Sequence, residues 1–497
     1  MLVNDRIAHA ASRRRVAVWS AWSVCRRYPV ALAAATAVTE AAVTTTGAVH
    51  GWGMSGSPLA VEAWCAGTLV VALIVAVTCG RRWFHPLSLP LAVVAVMSLG
   101  PPLWVQVTHE SAGLLYRPGD EPFGQPLAAA LSARACAALV LVVVGYLAGA
   151  ALTLGVTTAS ASSAVRPAFC YRNMRSAGFA LLCTGAIAQA LVTVGTAGKT
   201  YGANQLEYGL TSLLGDAAAM GTLAGLAVVT LADAHITRAI RLRDVLRGRE
   251  WAVLGLYMAA VATSGQRAGL IAPGVYLAWV YSTRVRAIPW RWAAAALLLV
   301  LWGASAIAHH RQDGGLSVGS PVEVTASAVG DLSSPAWLTQ QTVAHVPSET
   351  PYLHGSTYLA AAEAQLPGPV SRRLGVTSRT ASAVFRNIIG FFNQNQGYAE
   401  SCPSEAYLNF GLPGCLGIGL FLGALMGWAW RKRREMAASP RDLLYSLLLA
   451  GLVYGFRSDA LTQIKEVLYP MLIVWAVMTW CRLPSALPPR RVPDPAE

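Results

Sequence analysis

A helix needs about 20 consecutive apolar residues to cross the roughly 30 Å hydrocarbon core of a bilayer, and inside it every backbone polar group must be satisfied within the segment. Runs of this kind recur along the whole chain, at 29–48, 62–79, 87–107, 128–156, 177–197, 209–232, 251–264, 268–282, 291–308, 409–430, 442–456 and 467–481. No water-soluble core needs so many. The composition agrees: 55% of the 497 residues are hydrophobic and 12% are charged, roughly half the charged share of a soluble domain. The mean hydropathy is +0.47. These features predict an all-α polytopic membrane protein of about 12 transmembrane helices. The first run is weak, being rich in Ala and Thr and carrying Glu40. The seventh and eighth are short and are separated by Ser264-Gly265-Gln266-Arg267-Ala268. They are expected to form a hairpin that stops short of a full crossing.

The net charge of +14 invites a nucleic-acid reading, but its distribution argues against one. Arg26-Arg27, Arg81-Arg82, Arg166/Arg172/Arg175, Arg238/Arg241/Arg243/Arg247/Arg249, Arg284/Arg286 and Arg431-Lys432-Arg433-Arg434 all fall on one side of an alternating set of spans. That bias marks the cytoplasmic side, and attraction to anionic headgroups is its by-product. Both termini are then cytoplasmic, and the protein is expected as a multi-pass protein of the cytoplasmic membrane. Arg13, Arg14 and Arg15 precede the first apolar run like a signal peptide, but further spans follow, so this end reads as a retained anchor. The resulting order is a cytoplasmic segment (1–28), a bundle of about nine helices (29–308), a large extracytoplasmic loop (309–408), three C-terminal helices (409–481) and a cytoplasmic tail (482–497).

The nine cysteines lie mostly inside apolar runs, without metal-type spacing, and read as small buried hydrophobes. Cys402 and Cys415 flank a polar segment and are open to pairing in an oxidising compartment. No Walker loop, metal-ligand spacing or Gly-x-Ser-x-Gly elbow is present. Gly-rich local runs read as close packing between membrane helices.

The long outer loop is too aromatic for a disordered tract, with Tyr352, Tyr358, Phe385, Phe391, Phe392 and Tyr398. Thr357 to Leu366 has high helix propensity and stops at Pro367. Short helices lying over the membrane mouth are expected. Charge at a bilayer rim is costly, which makes each such residue a functional candidate. Arg267 sits at the tip of the short hairpin, where the positive-inside bias would not place it. Arg457 and Asp459 follow the eleventh span. Glu405 precedes the tenth, with Glu400 five residues earlier, and its ordinary reading is helix N-terminal chemistry. His309, His310, Arg311 and Asp313 follow the ninth, where interface anchoring is the plainer account. Arginine forks match phosphate or diphosphate oxygens, and a nearby carboxylate can take a proton from an attacking hydroxyl. Tyr398, Asn393, Gln394 and Asn395 suit sugar stacking and hydrogen bonding. Together they suggest chemistry on a lipid-diphosphate sugar, the bundle holding the lipid and the loop the glycan.

Three short segments resemble the Wzy-type polymerases of O-antigen and oligosaccharide repeat units. They are Tyr352-Leu353-His354-Gly355-Ser356-Thr357-Tyr358 with Leu366-Pro367 beyond it, Glu405-Ala406-Tyr407-Leu408-Asn409-Phe410-Gly411, and Phe456-Arg457-Ser458-Asp459. The likeness covers roughly residues 260–470; the first two hundred residues match only as membrane spans. It implies a glycosyltransferase of the C-type membrane fold, without metal or cofactor, that joins lipid-diphosphate-linked repeat units on the outer face. Arg267, Arg457 and Arg311 would bind diphosphate. Glu405 and Asp459 would be the catalytic carboxylates, with His354 an alternative base. His354, Tyr358, Tyr398, Tyr407 and Asn409 would bind glycan. Polyprenyl-diphosphate glycan, membrane lipid and other membrane proteins of polysaccharide assembly would be the partners, and nucleic acid would not.

An O-antigen-type ligase shares this architecture and outer-face chemistry. Polyprenyl-monophosphate sugar transferases usually carry paired acids in the first outer loop, and Val49 to Val61 has none. A twelve-helix transporter would show two related halves and charges at mid-membrane; here the charges gather at the outer rim.

Overall fold

The computed structural model describes residues 58–78, 84–108, 132–155, 170–196, 210–232, 244–264, 268–289, 303, 335–365, 380–388, 400–432 and 440–482. Among these residues every regular element is a helix. In chain order they are α1 (Pro58–Thr78), α2 (Leu89–Thr108), α3 (Ala133–Gly155), α4 (Tyr171–Thr196), α5 (Leu210–Ala232), α6 (Gly248–Ser264) and α7 (Ala268–Arg284). There follow α8 (335–345), α9 (Ser356–Glu363), α10 (Ala381–Ile388), α11 (Cys402–Lys432), α12 (Pro440–Gly455) and α13 (Ala460–Trp480). The first and ninth expected spans lie outside the described residues, apart from residue 303. The other ten correspond to α1–α7 and α11–α13.

Five segments are long and apolar enough to cross a membrane: Ala133–Leu154, Tyr171–Gly195, Leu214–Ala232, Cys402–Arg431 and Ala460–Trp480. Their outward faces are apolar as well. Ile187, Leu191 and Val194 on α4 are exposed, as are Leu468, Leu472 and Trp475 on α13 and Val70, Ile74 and Val77 on α1. Each trio has i, i+4, i+7 spacing and so forms one stripe. In water such stripes would be an aggregation hazard; in lipid they are the solvated surface. The protein is a membrane-embedded helical bundle.

Glycine stripes set which helices touch. Gly145 and Gly149 of α3 face Gly419 and Gly423 of α11 so closely that a Cβ on Gly145 would lie 2.5 Å from the Leu416 carbonyl oxygen. Lipid tails give helices no hydrophobic reason to associate, so close backbone approach and dispersion must do it. Residues 145, 149 and 153 meet 416–419, 420–424 and 427 in rising order, so α3 and α11 run parallel. Gly178 and Gly185 of α4 meet Val229 and Thr222 of α5 in falling order, so that pair is antiparallel. α4 and α6 are parallel. Arg175 grips Glu250 at one end, with bonds of 2.9 and 2.6 Å, and Thr193 donates to the Ala260 carbonyl at the other, 3.0 Å away. These relative directions follow the expected alternation of spans.

The short hairpin is present as α6 and α7, of 17 residues each, or roughly 25 Å at 1.5 Å per residue. That falls short of the hydrocarbon thickness. At the end carrying the basic residues, Phe84, Trp279, Trp430 and Tyr445 interlock. Trp279 is 5.5 Å from Phe84 and 5.0 Å from Tyr445, and Trp430 is 5.2 Å from Tyr445.

Two of the helix starts that differ from expectation bear on the site. The twelfth expected span, α13, begins at Ala460 rather than 467, because the Asp459 carboxylate caps it through the Thr462 N–H at 3.1 Å. Lys465 and Glu466 therefore belong to a helix and not to an outer connection. The tenth begins at Cys402 rather than 409, and so includes Glu405 and Asn409. The pairing left open for Cys402 and Cys415 is not formed: both are free and buried, and the Cys415 thiol points to the Pro403 carbonyl at 3.6 Å.

Candidate functional site

The site starts from a break in α11. Gly411 has φ 65° and ψ −149°, outside helical geometry, and Pro413 follows with no N–H to donate. In an unbroken helix the carbonyls of Leu408 and Asn409 would accept from residues 412 and 413. Here they accept instead from the backbone N–H groups of Leu353, at 3.1 Å, and His354, at 3.0 Å. The orphaned end of one helix is thus the docking edge for the loop segment ahead of α9. Glycine is required at 411, since its φ is left-handed and a Cβ would lie 2.9 Å from the Tyr352 hydroxyl.

Side chains lock the docking. Asn409 accepts the Gly355 N–H at 2.9 Å and donates to the Thr357 hydroxyl at 2.6 Å and to the Glu405 carbonyl at 2.8 Å. Thr357 donates in turn to one Glu405 carboxylate oxygen at 2.8 Å. The other accepts the Ala460 N–H at 2.7 Å, the first orphan donor of α13. Glu405 therefore does helix N-terminal chemistry for a different helix from its own. Cys402 donates its N–H to the Phe456 carbonyl at 3.3 Å. Asp459 accepts from Thr462 and, at 2.8 Å, from the Ser382 hydroxyl of α10. The three segments of the resemblance, separated by about fifty residues each, form one hydrogen-bonded unit.

Glu400 lies against this unit. Its N–H donates to Ser382 at 3.0 Å, its side chain is fully buried, and neither carboxyl oxygen has a hydrogen-bond partner. Burial holds its carboxyl well above the usual range, and Glu405 and Asp459 push it the same way. The nearby Ser404 hydroxyl, committed to the Leu338 carbonyl at 3.1 Å, and the Ser401 backbone lower it by less than burial raises it. Burial thus favours the neutral form of Glu400.

Around the break, Tyr358 stacks on Phe410 with centroids 6.4 Å apart, and Tyr352 meets Tyr407 edge-on at 6.1 Å. His354 is exposed, in the left-handed region at φ 49°. Arg457 is half-buried beside the cap of α13. Of the residues expected in the site, Glu405, Asp459, Arg457, His354, Tyr358, Tyr407 and Asn409 gather here. Arg267, Arg311 and Tyr398 lie outside the described residues, with Asn393, Gln394 and Asn395.

Sequence reasoning passed over Thr357, Ser382 and Arg134 as site residues. Thr357 and Ser382 carry no signal of their own, being ordinary hydroxyls. Arg134 carried one: it opens a span at the end away from the basic clusters, where the positive-inside bias does not favour an arginine. Also missed was the Lys465–Asp216 pair, 3.5 Å apart between α13 and α5. Among the described residues no three His, Cys, Asp or Glu side chains are placed to hold a metal ion. In comparisons with known proteins, no family model, no curated protein and no solved structure matches the chain.

Proposed function

We propose that the chain polymerises lipid-diphosphate-linked oligosaccharide repeat units on the outer face of the cytoplasmic membrane. It does so as a twelve-span protein whose loop 309–408 is extracytoplasmic. The observation that carries this reading is the union of the three resembling segments through Thr357, Glu405 and the N-terminus of α13. Their union brings three polar segments, noted separately in the sequence, to one place, and this supports a shared role. That place is at the rim, where a lipid-borne substrate would present its diphosphate and sugar.

The geometry also favours a division of labour. Glu405 and Asp459 have their carboxylate oxygens occupied by internal donors, so they suit positioning. His354 is exposed at the docked turn and is the better-placed base for an acceptor hydroxyl. Arg457, at the end of α12, remains the candidate cation for the leaving diphosphate, with Arg267 and Arg311. A second reading, transport, draws on one observation: Lys465, Asp216 and Glu466 lie within helices and not beyond them.

Glycan analysis of the host with the gene deleted and then restored tests the proposal. Single repeat units left on their lipid or acceptor, with long polymer restored on complementation, support polymerisation. Complete polymer left unattached on lipid would identify a ligase, and unchanged glycans would favour transport.

A further inference from the structure

Arg134 opens α3 at the outer mouth and is exposed. Its guanidinium lies over the Tyr407 ring, 5.8 Å from the centroid, and one of its N–H groups donates to the Tyr352 hydroxyl at 3.2 Å. Among the described residues no carboxylate pairs with it. The rest of its planar fork of donors is open. The Tyr352 hydroxyl accepts from Arg134, which leaves its own proton free to donate. The Tyr407 hydroxyl is buried near the Tyr352 hydroxyl, but no hydrogen bond of good geometry reaches it. Buried phenols nearly always find one.

We propose that Arg134, Tyr352 and Tyr407 form a binding site for a phosphate-type oxyanion at the outer mouth between α3 and the break in α11. The argument is one of chemical sign. Each of the three presents a donor, the two phenol oxygens can also accept, and one of the three carries a fixed positive charge. A cation is repelled by such a set, and an oxyanion matches it, since its several lone pairs can take bonds from the guanidinium and both phenols. A snorkelling arginine would explain the exposed charge. It would not explain an orphaned phenol beneath that charge, or the Tyr352 hydroxyl held against Gly411 and turned to the guanidinium. The cation–π contact orients the fork without consuming its N–H groups. Phosphate chemistry at this depth has two sources, a phospholipid headgroup or the diphosphate of a lipid-linked sugar. The site stands on its own geometry, and under the proposed function the second source is its ligand.

Binding, read apart from turnover, tests it. The full chain is placed in phosphatidylcholine nanodiscs and titrated calorimetrically with inorganic diphosphate. Saturable binding is expected, weakened about tenfold or more by Arg134→Ala, poorly restored by Arg134→Lys, and weakened several-fold by Tyr407→Phe, which keeps the ring and removes only the hydroxyl. A second arm uses nanodiscs containing phosphatidylglycerol and counts retained anionic lipid by native mass spectrometry. Arg134-dependent lipid retention without diphosphate binding supports the site and identifies a headgroup as the source. The proposal is overturned if neither ligand binds. It is equally overturned if Arg134→Ala and Tyr407→Phe, both melting like the parent protein, bind diphosphate and retain lipid as the parent does. A glycan phenotype that persists while this binding is absent would separate failure of the site from failure of the polymerase reading.

Discussion

Thr357 spends both capacities of one hydroxyl inside the protein, donating to Glu405 and accepting from Asn409. Valine has nearly its shape and neither capacity. Thr357→Val strands a buried carboxylate oxygen and an amide donor, each worth about 1–3 kcal/mol when left unpaired. We expect it to lower the melting temperature of the detergent-solubilised protein clearly, while Thr357→Ser stays near the parent value. Equal melting of the two variants would show that the hydroxyl holds nothing. Glu400 makes a pH prediction of definite sign. Its carboxyl is raised in the folded protein from the ordinary 4.5, so folding carries no penalty from it in acid, where both states are protonated. As pH rises through 4.5 the unfolded state ionises first, and stability is lost. Glu400→Gln removes the penalty, so its stability advantage over the parent should be small near pH 4 and grow toward pH 7. A flat difference across that range would show that Glu400 is not held neutral.

At the level of elements, small residues decide partnership. A Cβ on Gly149 would fall closer to the Leu420 carbonyl oxygen than any side-chain atom can sit, so Gly149→Leu must force α3 and α11 apart. Gly195 on α4 has nothing within 4 Å of where a Cβ would be. Gly149→Leu is expected to abolish folded protein in membranes, whereas Gly195→Ala should leave expression and melting unchanged. A size-exclusion profile and melting curve for each variant check both. The break at Gly411 belongs to this scale too, because it turns one long apolar helix into a short buried helix, a docking edge and a span. Without the break, the Leu353–Thr357 segment would have no free carbonyls to grip.

For the whole molecule, the relative directions of α3, α4, α5, α6 and α11 agree with a single alternating path, and the basic residues assign its two ends to opposite sides. Leu359 of α9 and Arg249 at the start of α6 are both exposed and should lie on opposite sides. In intact cells, Leu359→Cys should react with a membrane-impermeant maleimide and Arg249→Cys should react only after permeabilisation, each measured against the unsubstituted protein. Reaction of both without permeabilisation would sink the assigned orientation.

Hydropathy alone located ten of the described helices, since a bilayer imposes one length and one polarity on every crossing segment, though two of their starts lay seven residues off. The positive-inside bias gave the alternation, and short polar patterns brought attention to residues 352–358, 405–411 and 456–459. None of this could say that those three patterns meet. Their meeting depends on where a broken helix leaves carbonyls unsatisfied and on which helix N-terminus lies within reach of Glu405. Both are properties of packing across long sequence separations. The same holds for the capped start of α13, which a run of mixed polar residues concealed, and for Thr357 and Ser382, whose hydroxyls carry no sequence signal until a buried carboxylate is brought beside them. The sequence by itself determined that the chain is built of membrane-length apolar helices with its basic residues gathered at one end of them. Only the tertiary structure decided which polar groups face one another, because hydrogen bonds are made between neighbours in space and hydropathy is a property of neighbours in sequence.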